Sequence, residues 1–171
     1  MDAPIVNRVS ESGIITLDLG MFLPAEAPVA FDLAEHLYMG MILREKDFRE
    51  AMAGWEWTRY QDRYVAVHCS ADAIIPSWAY MLVASRLSGI ARDVYLGTPV
   101  EMEKHLVVRS IDAMDLAPYV DHRVVVKGCG DRETGAYAFL EVTRKLRPVV
   151  RSLMYGEPCS TVPVYKRSGQ G

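Results

Sequence analysis

The sequence predicts a three-layer α/β fold: a mainly parallel sheet with helices on both faces, in a single domain. Three observations carry this expectation. Strand-like and helix-like stretches alternate along most of the chain, the pattern left by βαβ units joined by right-handed crossovers. The run Tyr64-Val65-Ala66-Val67-His68-Cys69 is apolar almost without a break, as a strand covered on both faces must be. The chain has 171 residues, half of them hydrophobic and 24% charged. That is enough to bury about two thirds of the unfolded surface without a disulfide or metal staple.

Taken in order, Gly13 to Leu19 reads as a β-branched strand bounded by Gly and Pro. Pro24 and Pro28 mark a loop. Leu33, Leu37, Tyr38 and Met41 recur at a helical period, which predicts a helix over Phe31–Met41 with Asp32 as its cap. A second helix begins after Arg44, buries Phe48, Ala51 and Met52, and ends at Gly54. Trp55, Trp57 and Tyr60 are expected to pack over a sheet edge.

After the strand at Tyr64 comes a turn, Ser70 to Pro76, and then a helix from Ser77 to Ser88 closed by Gly89. The strand Arg92–Leu96 stops at Gly97. Thr98, Pro99 and Glu101 then open a helix with a cap, a first-turn proline and a capping box. The strand Arg123–Lys127 runs into the sharp turn Gly128-Cys129-Gly130. A long helix follows, from about Ala136 to Met154, kinked or split at Pro148. Gly156-Glu157-Pro158-Cys159 is a loop, and Thr161 to Tyr165 is extended at best. The domain is expected to span 1–165, with a polar tail, 166–171, that frays. The sequence reads as free of internal repeats.

Charge and hydropathy exclude several classes. The net charge is −3, and the densest basic stretch (Arg144, Lys145, Arg147, Arg151) reads as a solvated helix face rather than a nucleic-acid footprint. No apolar run approaches the roughly 18 residues of a membrane span. The start, Met1-Asp2-Ala3-Pro4, is acidic and unlike an export signal, so a cytoplasmic, reducing location is expected. Three cysteines cannot all pair within one chain, which turns attention to thiol or metal chemistry. No dinucleotide, P-loop or nucleophile-elbow pattern occurs.

In a parallel sheet, ligands bind beyond the carboxyl ends of the strands. Cys69 and Cys129 are both expected at such ends, and Cys159 lies in a later loop. Thiolates from Cys69, Cys129 and Cys159, with His68 as a fourth ligand, would suit zinc or an iron–sulfur cluster. Their spacing contains no CxxC pair, so this expectation is topological. Alternatively, Cys69 ahead of a helix N-terminus could carry a persulfide in a sulfurtransferase. The turn lacks the Gly and Arg residues of an oxyanion cradle, and Asp72 opposes thiolate formation. A third reading is an adaptor or scaffold whose thiols are incidental. His36, His105 and His122 carry no partner signal in the sequence.

Several of these stretches together resemble one family. Asp47-Phe48-Arg49-Glu50, the long segment from Tyr64 to Leu82 (with His68-Cys69-Ser70-Ala71-Asp72 at its centre), Lys127-Gly128-Cys129 and Gly156 to Pro163 are similar to the bacterial domain-of-unknown-function family number 2480. The likeness runs from Val6-Asn7-Arg8 almost to Tyr165. The resemblance implies a cytoplasmic accessory role near iron–sulfur cluster assembly, with assembly proteins as partners. It implies no activity, and it leaves a homo-oligomer open.

Overall fold

The computed structural model describes residues 13–128, 134–157 and 160–168. The chain divides into two compact units. One is continuous (residues 24–105); the other is split, made of residues up to 23 and from 106 onward. Each unit has its own sheet, so the single sheet expected from the sequence is instead two, both mostly parallel.

In the continuous unit the strands are β2 (Val29–Asp32), β3 (Tyr64–His68) and β4 (Asp93–Leu96), ordered β2-β3-β4 and parallel throughout. Helices α1 (Glu45–Ala53) and α2 (Ser77–Leu87) connect them. Phe31, Val65 and Val67 face one core with Phe48 and Met52 of α1 and Ala79, Val83 and Leu87 of α2. The three α2 residues recur every fourth position and form its buried stripe. Both helices therefore cover the same face. Helices alternate between faces only where strand order reverses, and here it runs in sequence.

The split unit orders its strands β1-β5-β6-β7: β1 (Ile14–Asp18), β5 (Arg123–Lys127), β6 (Ser152–Glu157) and the antiparallel β7 (Ser160–Lys166). Its core joins Leu17, Val124, Val126 and Leu153 to Val107 and Ile111 of α3 (Pro99–Asp112) and to Ala138, Val142 and Leu146 of α4 (Ala136–Leu146).

The two units repeat one plan, which corrects the reading of a repeat-free chain. Asp62 and Asp121, fifty-nine residues apart, both hold positive φ, at 57°. Their N–H groups donate to the carbonyls of Ile90 and Val149, the same distance apart again. Arg92 donates to Arg63 as Arg151 donates to His122. The offset carries β3 onto β5, α2 onto α4, and the start of β4 onto that of β6. It also carries Ala79, Val83 and Leu87 onto Ala138, Val142 and Leu146. The edge strands match too: Asp32 pairs in register with His68, and Asp18 with Lys127.

Three further expectations change. The predicted helix over Phe31–Met41 is instead the end of β2, a 3-10 turn (Leu33–His36) and a tight turn bridged by Tyr38 and Ile42. Asp32 does cap, but it caps the 3-10 turn. The predicted helix to Met154 stops at Leu146, ahead of Pro148, and Ser152–Glu157 is strand β6. Of the tail expected to fray, Lys166 lies inside β7 and Arg167 is ion-paired to Asp121, while 169–171 lie outside the described residues.

Trp55, Trp57 and Tyr60 gather on Phe31 of the edge strand β2, as the sequence suggested. His36 belongs to this group, stacked on Phe31 at 5.6 Å and edge-on to Trp55 at 4.9 Å. Its Nε2 is buried with no hydrogen-bond partner among the described residues. Burial holds its pKa below the ordinary value, against the pull of Glu35 and Asp32.

Candidate functional site

Both edge strands end in aspartate followed by leucine, Asp18-Leu19 and Asp32-Leu33. Each carboxylate turns back to accept the N–H two residues on, from Gly20 and Ala34 respectively, at 2.9 Å. This local bond starts a 3-10 turn and leaves the carboxylate at the carboxyl edge of the sheet. From there the units diverge. In the split unit Lys127 Nζ closes on Asp18 at 3.4 Å, so the charge is matched locally.

In the continuous unit the equivalent of Lys127 is His68. Asp32 also accepts the Ser70 N–H at 2.9 Å, which ties the end of β2 to the chain leaving β3. Burial works against its ionisation, but the Ser70 hydroxyl, the Ala34 and Ser70 N–H groups and His68 outweigh it, so Asp32 lies below the ordinary carboxylate value.

Register pairing puts Ala30, Ala66 and Tyr95 on the sheet face that also carries Asp32 and His68. The Tyr95 ring stacks on His105 at 5.0 Å. The predicted capping box forms: Thr98 donates to Glu101 Oε2 from its N–H (2.7 Å) and its hydroxyl (2.8 Å), and Glu101 N–H returns to the Thr98 hydroxyl. These bonds, then Lys104 and His68, hold Glu101 below its ordinary pKa. Gly97, at φ 146°, makes the arrangement fit. A Cβ there would lie 2.8 Å from the Tyr95 ring and 2.9 Å from Glu101 Oε2.

The result is a polar face bearing Asp32, His68 and Tyr95, with Glu101 and His105 beside it on α3. Two carboxylates held ionised can accept hydrogen bonds, two imidazoles can donate or accept, and a phenol offers both a ring and a hydroxyl. Among the described residues no three His, Cys, Asp or Glu side chains form a group that could hold a metal ion.

The site residues read from the sequence fall as follows. His68 ends β3 on the polar face. Cys69 is half-buried against the core of the continuous unit, and its Sγ donates to the Ala71 carbonyl at 3.5 Å. Burial, then the neighbouring Cys69, pushes the Tyr80 phenol up. Cys129 and Cys159 lie outside the described residues. Sequence reasoning took Asp32 for a helix cap, Glu101 for part of a capping box and His105 for a histidine without a partner. The available signal was the repeated Asp-Leu after an apolar strand.

The fold and this edge define a class: a mostly parallel α/β protein built from one βα plan used twice, with a polar strand-end face in one copy. The chain belongs to the family described as a protein of unknown function, DUF2480, whose model matches residues 3–167. No curated protein and no solved structure matches it. No described helix is long and apolar enough to cross a membrane.

Proposed function

We propose that this chain is a binding protein rather than a catalyst, and that its ligand contacts the polar face at Asp32, His68, Tyr95 and Glu101. The observation that carries this reading is the contrast between the two copies. Asp18 is neutralised by Lys127, whereas Asp32 sits beside a histidine at the edge where parallel sheets take their ligands. Ionised acceptors, with an aromatic ring beside them, suit a small molecule bearing an amine or several hydroxyls.

The test is calorimetric titration of amine- and polyol-bearing small molecules into the intact protein and into His68→Lys, which copies the split unit's pair. Binding by the wild type that is lost in His68→Lys, with the melting temperature kept, supports the reading. Binding that survives the exchange removes it.

An accessory role in iron–sulfur assembly, with zinc or a cluster at Cys69, Cys129, Cys159 and His68, is a separate proposal with its own measurement. Stoichiometric zinc or iron in protein purified without air and without a histidine tag, reduced in Cys69→Ser, would put that role first. Persulfide transfer lost in Cys69→Ser would favour the sulfurtransferase reading. If ligand, metal and transfer are all absent, the adaptor reading remains.

A further inference from the structure

A cavity of about 770 Å³ opens in the split unit, at the opposite end of its sheet from Asp18. It is lined by Asp121, Arg123, Arg151, Ser152, Lys166 and Arg167, among others. Register builds it. Arg123, the first residue of β5, pairs with Ser152, the first of β6, and Ser152 pairs with Lys166, the last of β7. The Arg167 N–H donates to the Arg151 carbonyl at 2.9 Å, fixing the next row.

Four cations therefore meet one carboxylate around a single concavity, in a chain whose net charge is −3. Asp121 is engaged by Arg167, which is also held by the Pro148 and Val149 carbonyls. The side chains of Arg151 and Lys166 form no ion pair among the described residues. Like charges lining one hollow repel, and a bound polyanion would relieve them.

The other unit supplies an internal control. Its equivalent cavity, about 260 Å³, is lined by Glu26, Asp62, Arg63, Tyr64 and Arg92, among others. There Arg63 pairs with Glu26 at 3.0 Å, and Arg92 lies over the Tyr64 ring. The charges balance. Two differences make the split unit basic: Arg123 stands where Tyr64 does, and the end of β7 with the residue after it brings Lys166 and Arg167.

We infer that this cavity binds a small molecule carrying phosphoryl groups, of pyrophosphate or nucleotide size. Guanidinium groups match phosphate oxygens two at a time, and the volume lies within the range of small-molecule sites. The cations converge on a hollow instead of spreading along a face, which favours a compact ligand over a nucleic-acid backbone. The inference goes beyond the binding reading above, concerning a different unit and the opposite ligand charge.

The experiment is calorimetric titration of inorganic pyrophosphate into the full chain, with sodium sulfate as control. The expected result is one site that weakens with added salt and weakens roughly tenfold or more in Arg151→Gln/Lys166→Gln. Arg92→Gln, in the balanced cavity, should leave it unchanged. Absence of binding at millimolar pyrophosphate overturns the inference, as does affinity indifferent to the double variant or equally reduced in Arg92→Gln. Tight binding of a single-stranded RNA without pyrophosphate binding also overturns it. Should the double variant fail to fold, amide shifts of the wild type keep the test open: perturbation at Arg123, Arg151 and Lys166 supports the site, and perturbation elsewhere removes it.

Discussion

Val65, Ala66 and Val67 in one unit and Val124, Val125 and Val126 in the other sit in the second strand of their sheets, and all are buried. Around them the two units keep the same helix stripe, the same left-handed aspartate before the second strand and equivalent positive-φ glycines, Gly97 just after β4 and Gly156 within β6. They differ at the ends. Beyond β4 the chain enters helix α3, while beyond β6 it returns as β7. At one edge lysine replaces histidine beside the capping aspartate; at the other, arginine replaces tyrosine. The buried positions fix the scaffold, while the strand-end positions, at least partly exposed, are where the copies are free to acquire separate chemistry.

The largest effect should come from breaking the shared scaffold. Leu87→Ala and Leu146→Ala remove equivalent, fully buried side chains, and each should cost about 2–5 kcal/mol. Urea unfolding followed by circular dichroism measures both. A cost below 1 kcal/mol for one of them would mean that the two positions are not equivalent.

The glycines after β4 and within β6 sharpen the comparison. Both have positive φ, so a side chain is strained at either by about 1–3 kcal/mol. A Cβ at Gly97 meets a ring and a carboxylate that can move, whereas at Gly156 it lies 2.5 Å from the Ser160 backbone oxygen. Gly156→Ala should therefore lower the melting temperature more than Gly97→Ala.

A smaller difference is expected at the capping aspartates. Asp18→Ala and Asp32→Ala each lose a cap worth about 0.5–2 kcal/mol. Asp32→Ala should cost more, because it also frees the Ser70 N–H. The Asp18–Lys127 pair is partly exposed, so Lys127→Ala should cost less than about 1 kcal/mol, and less still in high salt.

The smallest effect is one of pH and belongs to the continuous unit. The folded-state pKa of His36 is depressed below the ordinary 6.5, so folding favours its neutral form. Its contribution is complete above that value and is lost as pH falls through it towards the folded pKa. Trp55, Trp57 and Trp78 all lie in residues 24–105, so tryptophan fluorescence reads this unit. The urea midpoint should drop between pH 7.5 and 5.5, and His36→Phe should make that drop smaller.

Much of the scaffold was legible because its signals are local. The apolar run at Tyr64, the stripe of α2 and the Thr98–Glu101 box each declare an element within a few residues. Strand β2 has only four residues, and the helical spacing of Leu33 and Leu37 after it masked a 3-10 turn set by Asp32. Strand β6 was hidden because Leu153 and Met154 continue the apolar rhythm of α4 past Pro148. The repeat escaped because matching residues are few and mostly buried, while the shared hydrogen-bond register appears only in three dimensions. The polar face was illegible for the same reason: Asp32 and His68 meet through strand pairing across thirty-six positions. Cysteine position drew attention to Cys69, but its turn toward the core is a tertiary fact.

The duplicated scaffold is the claim on which the rest stands, and native-state hydrogen exchange followed by NMR tests it most directly. Val65–Val67 and Val124–Val126 should be the slowest-exchanging amides of their units, with protection rising and falling in step at positions fifty-nine apart. Exchange of one of these triads at the rate of an exposed loop, while the other stays protected, would contradict it.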